Sequence, residues 1–493
     1  MKFGLEVQVI ENIISVLEQH PNVDKAFVFG SRAKGNYRPD SDIDIAIKGN
    51  QITTDDIIAI SVAIETKGIT HKFDLIDYNS IKEPALKEHI DRVGIEFYSN
   101  WKEYKLEEIA TIQTGPFGSQ LHMSDYKVSG TPIITVEHLG ENKILHNNLP
   151  LVSNEDKQRL IKYTVKEGDI VFSRVGSVDR RAYVSSEEDG WMFSGRLLRV
   201  RVNKDKVCPK FLSFYFGQES FKETIRRIAV GATMPSINTT ILSEIEVVIP
   251  QKKEQTAIAS ILSSLDDKID LLQSQNKTLE QLAETMFRQW FVEEAEENWE
   301  VEKLGKVFDI GIGRTPPRKE QHWFTLNPND VKWVSIKDMG TCGIYIDTVS
   351  EYLTQAAVEQ YSVPVIPKNT VMLSFKMTIG RLAISTEKMV SNEAIAHFKQ
   401  KEGSFLFPEF LYLFLKTYSW VELGSTSSIV ESINSQMIKD IEIAIPDEQK
   451  LNAFKDLIKP YFDKIRTNQT QIRTLTQTRD TLLPKLMSGE VRV

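Results

Sequence analysis

MPSINTTILSEIEVVIPQKKEQTAIASILSSLDDKID, residues 234–270, carries three signals in succession. A β-branched run from Ile241 to Ile249 stops at Pro250, and apolar positions then recur at alternating spacings of four and three: Ile258, Leu262, Leu265, Ile269, Leu272, Asn276, Leu279, Ala283, Met286 and Trp290. That spacing describes a long helix with one narrow seam turned to another helix. From Gln255 to Val292 such a helix would be about 57 Å long at roughly 1.5 Å per residue. The succession returns at residues 432–450 as SINSQMIKDIEIAIPDEQK. After Pro446 the second seam reads Phe454, Ile458, Tyr461, Ile465, Asn468, Ile472, Leu475, Arg479 and Leu482, with Pro460 expected to kink or restart the helix. The simplest cover for each seam is the other, and Asn276 and Asn468 would fix the register at some cost in stability.

Upstream of each copy the resemblance continues. WKEYKLEEIATIQTGP from Trp101 aligns with WEVEKLGKVFDIGIGR from Trp299, TPIITVEHLG from Thr131 with VKWVSIKDMG from Val331, and GDIVFSRVGSVDRRAYV from Gly168 with NTVMLSFKMTIGRLAIS from Asn369. Matches in one order over such a length indicate an internal repeat. Each repeat opens as short strands broken by Gly, Pro, Asn and Asp and closes as a helix. The expected architecture is α/β and α+β multidomain: an N-terminal domain over 1–99, heads over 100–250 and 296–446, and helical spacers over 251–295 and 447–493 that pair as an antiparallel coiled coil.

With 493 residues, 41% hydrophobic and 26% charged, the chain suits several globular domains rather than one core. Two cysteines, Cys208 and Cys342, are too few for a disulfide framework and lack metal-ligand spacing. No apolar run approaches the ~20 residues of a membrane helix, so no membrane partner is expected and a cytoplasmic location is. The net charge of -8 argues against a generic polyanion binder. Residues 1–100 hold 11 Lys and Arg against 16 Asp and Glu, so most of that acidity lies outside the repeats. The repeats contain no phosphate-binding GxxxxGK[ST], no HExxH and no Cys-rich metal pattern, which leaves binding as their function, and two similar heads suit two half-sites on DNA.

From Trp101 to Val493 the chain resembles the DNA-specificity subunit of type I restriction-modification systems. The resemblance rests on the two openings LEEIATIQTG and LGKVFDIGIGRTP, on KWVSIKDM and GDIVFSRVG, and above all on residues 234–270. It implies double-stranded DNA with a bipartite target as ligand, each head reading one half. It also implies two methyltransferase subunits docked on the paired helices, which set the unread spacing, and restriction-translocase subunits in the same assembly. No NPPY-like tetrad occurs, so methylation belongs to a partner. Arg174, Arg180 and Arg181 in the first head and Lys376 and Arg381 in the second are candidate DNA contacts, since Arg and Lys meet phosphates and base edges. The clusters Arg196, Arg199, Arg201 and Arg226, Arg227 are equally eligible for phosphate.

The first hundred residues carry different chemistry. In KAFVFGSRAKGNYRPDSDIDIAIK, residues 25–48, a β run ends at Gly30-Ser31 and a second carries Asp42 and Asp44, two residues apart and so expected on one face. KFDLID adds Asp74 on a third run. Three carboxylates together repel unless a divalent ion compensates them, which suits two-metal phosphoryl transfer. Gly30 permits a tight turn, and Ser31 with the following helix's amides can hold phosphate oxygens. These residues resemble the motif of minimal, polymerase-beta-type nucleotidyltransferases. The resemblance implies Mg²⁺ and a nucleoside triphosphate, ATP foremost, as cofactors, with Asp42 and Asp44 on the metal and Asp74 assisting the acceptor hydroxyl. It further implies a protein acceptor such as a HEPN-type toxin. The alternative reading of the whole chain is thus a nucleotidyltransferase or antitoxin acting on a protein bound by the repeats.

Overall fold

In the computed structural model the described residues are 3–20, 22–49, 51–116, 118, 120–420 and 433–493. The chain forms two compact units, one of Met1–Ser264 with Arg479–Val493, the other of Leu265–Thr478.

The first unit begins with a four-stranded sheet in the order Phe73–Asp77, Ile43–Gly49, Val23–Phe29, Ile95–Ser99. Val23–Phe29 is antiparallel to both neighbours, whereas Ile43–Gly49 and Phe73–Asp77 are parallel. The strands Val23–Phe29 and Ile43–Gly49 are largely buried because both faces are covered. Helices Val7–Leu17 and Thr54–Thr66 contribute Ile13, Val16, Leu17, Ile60 and Ile64 to one core, and Ile90 of helix Pro84–Val93 joins Phe29 and Ala46 in another. Thr53 opens Thr54–Thr66 with a capping box to Asp56.

The first head follows as an antiparallel sheet of Arg181–Tyr183, Ile170–Ser173, Leu197–Val202 and Ala110–Thr114. A second, small sheet joins Met192–Phe193, Thr131–Ile134 and Leu151–Val152. The run ahead of Pro250 is the strand Glu246–Ile249, paired with Lys102–Lys105. The second head, in the other unit, repeats this plan: Phe308–Ile312, Ile395–Gln400, Val371–Ser374 and Leu382–Ser385 form the sheet, extended by Tyr345–Ile346, and Glu300–Lys303 pairs with Glu442–Ile445. The registers agree residue by residue. Ser173 N donates to Arg180 O at 2.9 Å in one head, and Ser374 N to Arg381 O at 2.9 Å in the other.

The seams fold as helices Lys252–Arg288 and Glu448–Met487. The second does not restart at Pro460. Ile458, Phe462 and Ile465 lie buried around the proline in the second head's core, and this burial outweighs the one backbone bond that proline removes. Within the second unit, Asn468 Nδ2 donates to Asn276 Oδ1 at 2.9 Å, and the Phe287 and Phe454 rings lie 6.2 Å apart. Residue numbers rise along one helix as they fall along the other, so this stretch is antiparallel. Within the first unit, Ile258, Ala259 and Leu262 share a core with Leu486 and Met487.

Candidate functional site

The nucleotidyltransferase-like motif converges at one end of the N-terminal sheet. Asp44 lies opposite Phe29 across the antiparallel ladder and level with Asp74 across the parallel one. The strand begins at Ile43, so Asp42 stands one residue before it, exposed, with Asp44 half-buried. Gly30 is the one residue type its position accepts: φ is +70°, and a Cβ there would lie 2.0 Å from Asp44 Oδ2. The turn is therefore closed directly onto the Asp44 carboxylate. Gly30 and Ser31 start a helix of only five residues, Gly30–Lys34.

Burial first, then the charges of Asp74 and Asp42, push the Asp44 carboxyl above its ordinary range, with Arg32 opposing them. The three carboxylates thus share one electrostatic environment. Their oxygens do not form a trio within 4.8 Å, a measure that among the described residues only His146, Glu187 and Glu188 satisfy. A carboxylate raised by burial and then by two like charges, in an all-oxygen donor set, is the chemistry that a hard divalent cation such as Mg²⁺ relieves, and Asp42 and Asp44 fit it.

Sequence reasoning passed over Arg32, which is 2% exposed. Its guanidinium donates to Ser41 O at 2.6 Å and 3.1 Å, Asp42 O at 3.2 Å and Phe3 O at 3.1 Å. It pins the polar loop that delivers Asp42. A cation directly after Gly30-Ser31 in a short helix was the available signal.

In the heads the five candidate cations separate. Arg181 is 3% exposed; its guanidinium donates to Ser213 O and to Glu141 Oε1, each at 2.9 Å. That burial removes it as a DNA contact, because the strand register turns it inward. Arg180 and Arg381 occupy equivalent places and are half-buried: Arg180 donates to Leu139 O and Arg381 to Ile336 O at 2.7 Å. Each tethers the turn that follows the equivalent strands Thr131–Ile134 and Val331–Val334. Arg174 reaches Gly195 O at 3.2 Å and Thr114 Oγ1 at 3.4 Å. Lys376 is exposed on the second head's loop.

Arg199 and Arg201 are likewise structural. Arg199, 5% exposed, donates to Thr164 O at 2.7 Å, and Arg201 forms a two-pronged pair with Asp169 at 2.7 and 2.8 Å. Burial, ahead of the neighbouring Arg201, lowers Arg199 to about 10. Arg226 pairs with Asp179 and Glu219, whereas Arg196 and Arg227 are exposed. Among the described residues no helix is long and apolar enough to cross a membrane.

The geometry agrees with what known proteins share with this chain. The family described as type I restriction modification DNA specificity domain matches residues 98–281 and 296–477, and that described as polymerase beta, nucleotidyltransferase matches residues 11–103. The HindI specificity subunit of Haemophilus influenzae is 24% identical over 80% of this chain and 100% of its own length. The MjaIX specificity subunit of Methanocaldococcus jannaschii is 25% identical over 80% of this chain and 94% of its own. The crystal structure of the type I S subunit from M. genitalium superposes with a TM-score of 0.50 at 16% identity, covering 78% of this chain and 96% of that one, a likeness of fold. With two copies of the specificity domain behind a polymerase-beta-type nucleotidyltransferase domain, the chain belongs to the type I restriction-modification DNA specificity family.

Proposed function

We propose that this chain directs a type I complex to a bipartite DNA site, one half read by each head, and that its helices pair as an antiparallel coiled coil on which two methyltransferase subunits dock, with restriction subunits joining them. The observation that carries this reading is the duplicated head-and-helix plan, with Asn276 and Asn468 bonded to each other on the two seams. In this reading Arg174, Arg196 and Arg227 in the first head and Lys376 in the second meet DNA, while Arg180 and Arg381 hold the turns behind them. Exposed Arg and Lys supply phosphate contacts whose strength falls with salt, and side chains reaching base edges supply the sequence preference. Methylome sequencing of cells expressing the chain with its methyltransferase tests it. Two half-motifs at fixed spacing are expected, one of which changes when the first head is exchanged. A methylated motif with one uninterrupted core would overturn it.

The N-terminal domain supports a second activity, and the observation that favours it is the closure of the Gly30 turn on Asp44. Asp42 and Asp44 would hold Mg²⁺, Gly30 and Ser31 would receive the phosphates of ATP, and Asp74 would accept the proton of the acceptor hydroxyl. The ion supplies charge neutralisation on the phosphates. The acceptor would be a protein, of the HEPN type or a subunit of the complex, and the domain's role regulatory. Transfer of label from α-labelled ATP to a co-purifying protein, lost in Asp42→Asn with Asp44→Asn, is the expected result. Unchanged labelling in that variant would leave the domain a docking element.

A further inference from the structure

We propose that the first head binds a divalent cation of the zinc, cobalt or manganese class between His146, Glu187 and Glu188. One ligand atom from each residue lies within 4.8 Å of the other two. His146 Nε2 stands 2.6 Å from Glu188 Oε1, and its Nδ1 4.0 Å from Glu187 Oε2. One imidazole nitrogen with carboxylate oxygens is a donor set these ions accept. A metal at about 2.1 Å from both atoms would hold nitrogen and oxygen roughly 3 Å apart, so the 2.6 Å contact need open by only a few tenths of an ångström.

Two of the three ligands, His146 and Glu188, are held in place before any ion arrives, and the exposed Glu187 can swing to close the set. His146 ends a closed hairpin: Leu145 N donates to His138 O at 2.8 Å, and the His138 ring bonds Asn147 O at 3.1 Å. Its own ring packs 4.9 Å from that of Trp191. Glu188 is 3% exposed, and its second oxygen accepts from both Ser185 N and Ser185 Oγ at 2.7 Å, which leaves Oε1 aimed at His146.

The second head gives the reason for a cation here. There Lys332 stands between two carboxylates, hydrogen-bonded to Glu387 and 3.6 Å from Asp347 Oδ1, and so stitches the segment after Tyr345–Ile346 to the turn after Leu382–Ser385. The first head brings the corresponding segments together, but Pro132 replaces Lys332 on the equivalent strand, Thr131–Ile134 against Val331–Val334. Among the described residues no lysine or arginine pairs with Glu187 or Glu188. A buried carboxylate without a permanent positive partner is costly, and a bound metal supplies one. The ion would fasten the hairpin that carries Leu139 O and Glu141, the anchors of Arg180 and Arg181.

The test uses the full chain carrying Asp42→Asn and Asp44→Asn, so that the N-terminal carboxylates do not contribute, stripped with chelator and titrated with Co²⁺ alone. The expected result is one saturable equivalent with visible d–d absorption and a raised melting midpoint, both abolished by His146→Ala. Glu187→Gln, at an exposed position, should weaken the affinity by at least the roughly tenfold that loss of an outer-shell partner costs. Absence of saturable cobalt binding in the parent background, or binding that survives His146→Ala and Glu187→Gln unchanged, would overturn the proposal.

Discussion

Arg492 clasps Glu254 with a two-oxygen contact, Nη1 lying 2.6 Å from Oε1 and 2.8 Å from Oε2, across almost half of the chain. Its Nη2 reaches Asp24 Oδ1 at 3.2 Å, and its guanidinium lies 5.5 Å from the centre of the Trp101 ring. The three charged side chains are only 14–20% exposed. Within this unit the last residues, the start of the first long helix and the first strand of the nucleotidyltransferase-like domain are therefore joined at one cation. Burial, ahead of any other effect, pushes both carboxyls upward, and Arg492 opposes that shift at both. Arg492→Ala should leave two carboxylates half-buried without it. Complete burial would make such a loss cost ~3–5 kcal/mol, and partial exposure reduces it to about 2 kcal/mol. Differential scanning calorimetry checks this, with faster proteolysis near residues 99–102 as the companion readout.

His397 makes the second head sensitive to acid. The ring is fully buried, neither nitrogen has a hydrogen-bond partner, and burial, with Lys399 adding to it, lowers its pKa from 6.5 to about 4. The unfolded chain takes up this proton as pH falls below 6.5, while the folded head does so only near 4. Stability is therefore complete above pH 6.5 and is lost progressively between 6.5 and 4. Between pH 7 and pH 5 the loss should be about 2 kcal/mol. Denaturant melts at the two pH values check it; His397→Leu should flatten the dependence.

That histidine also marks the limit of reading by sequence. Its register partner is Gly311, and a Cβ on Gly311 would lie 2.3 Å from His397 Cε1; in the first head the same pair is Arg199 opposite Gln113. Nothing local in either strand announces that exchange. The long helices, the duplication and the Gly30, Asp44, Asp74 constellation were legible because period, proline punctuation and strand alternation are local properties. Which of Arg180 and Arg181 turns inward was not, because only the pairing of Arg181 with Phe172 decides it.

The loops linking Ser173 to Arg180 and Ser374 to Arg381 correspond position for position, and they share a left-handed residue: Gly176 at φ +82° and Met377 at +62°. Met377 is 94% exposed, so its side chain contributes no packing that offsets this conformation. The conformation costs about 1–2 kcal/mol for a residue with a Cβ, and glycine's greater freedom in the unfolded chain returns roughly 0.5–1 kcal/mol of that. Met377→Gly should therefore raise the stability of the second head by up to about 1.5 kcal/mol. Chemical denaturation of the two proteins checks the sign.

Gly30→Ala should silence the N-terminal site without removing a single ionisable group. The new Cβ would meet Asp44 Oδ2 at 2.0 Å at a φ of +70°, so either the turn or the carboxylate must move. A displacement of about 1 Å at reacting groups lowers rates by around 100-fold. Label transfer from α-labelled ATP should fall by at least that factor, while DNA binding measured by the full complex stays unchanged.

Asn276 and Asn468 are expected to be coupled far more strongly than two independent surface amides. Asn468 is fully buried; its Nδ2 donates to Asn276 Oδ1 at 2.9 Å and its Oδ1 has no partner. Replacing Asn276 alone by leucine leaves that amide among apolar neighbours with only Gln275 Oε1, 3.4 Å away, to bond, at a cost of about 1–3 kcal/mol. Replacing both removes the polar group that needed satisfying, and the doubly substituted helices should recover or exceed the parent's stability. The interaction energy from the double-mutant cycle should then be at least about 1 kcal/mol, with the pair favourable relative to either single variant. The register they specify should loosen at the same time, read as a wider distribution of spin-label distances between the two helices in the double variant than in the parent. Additive single and double effects would mean that the two amides act separately.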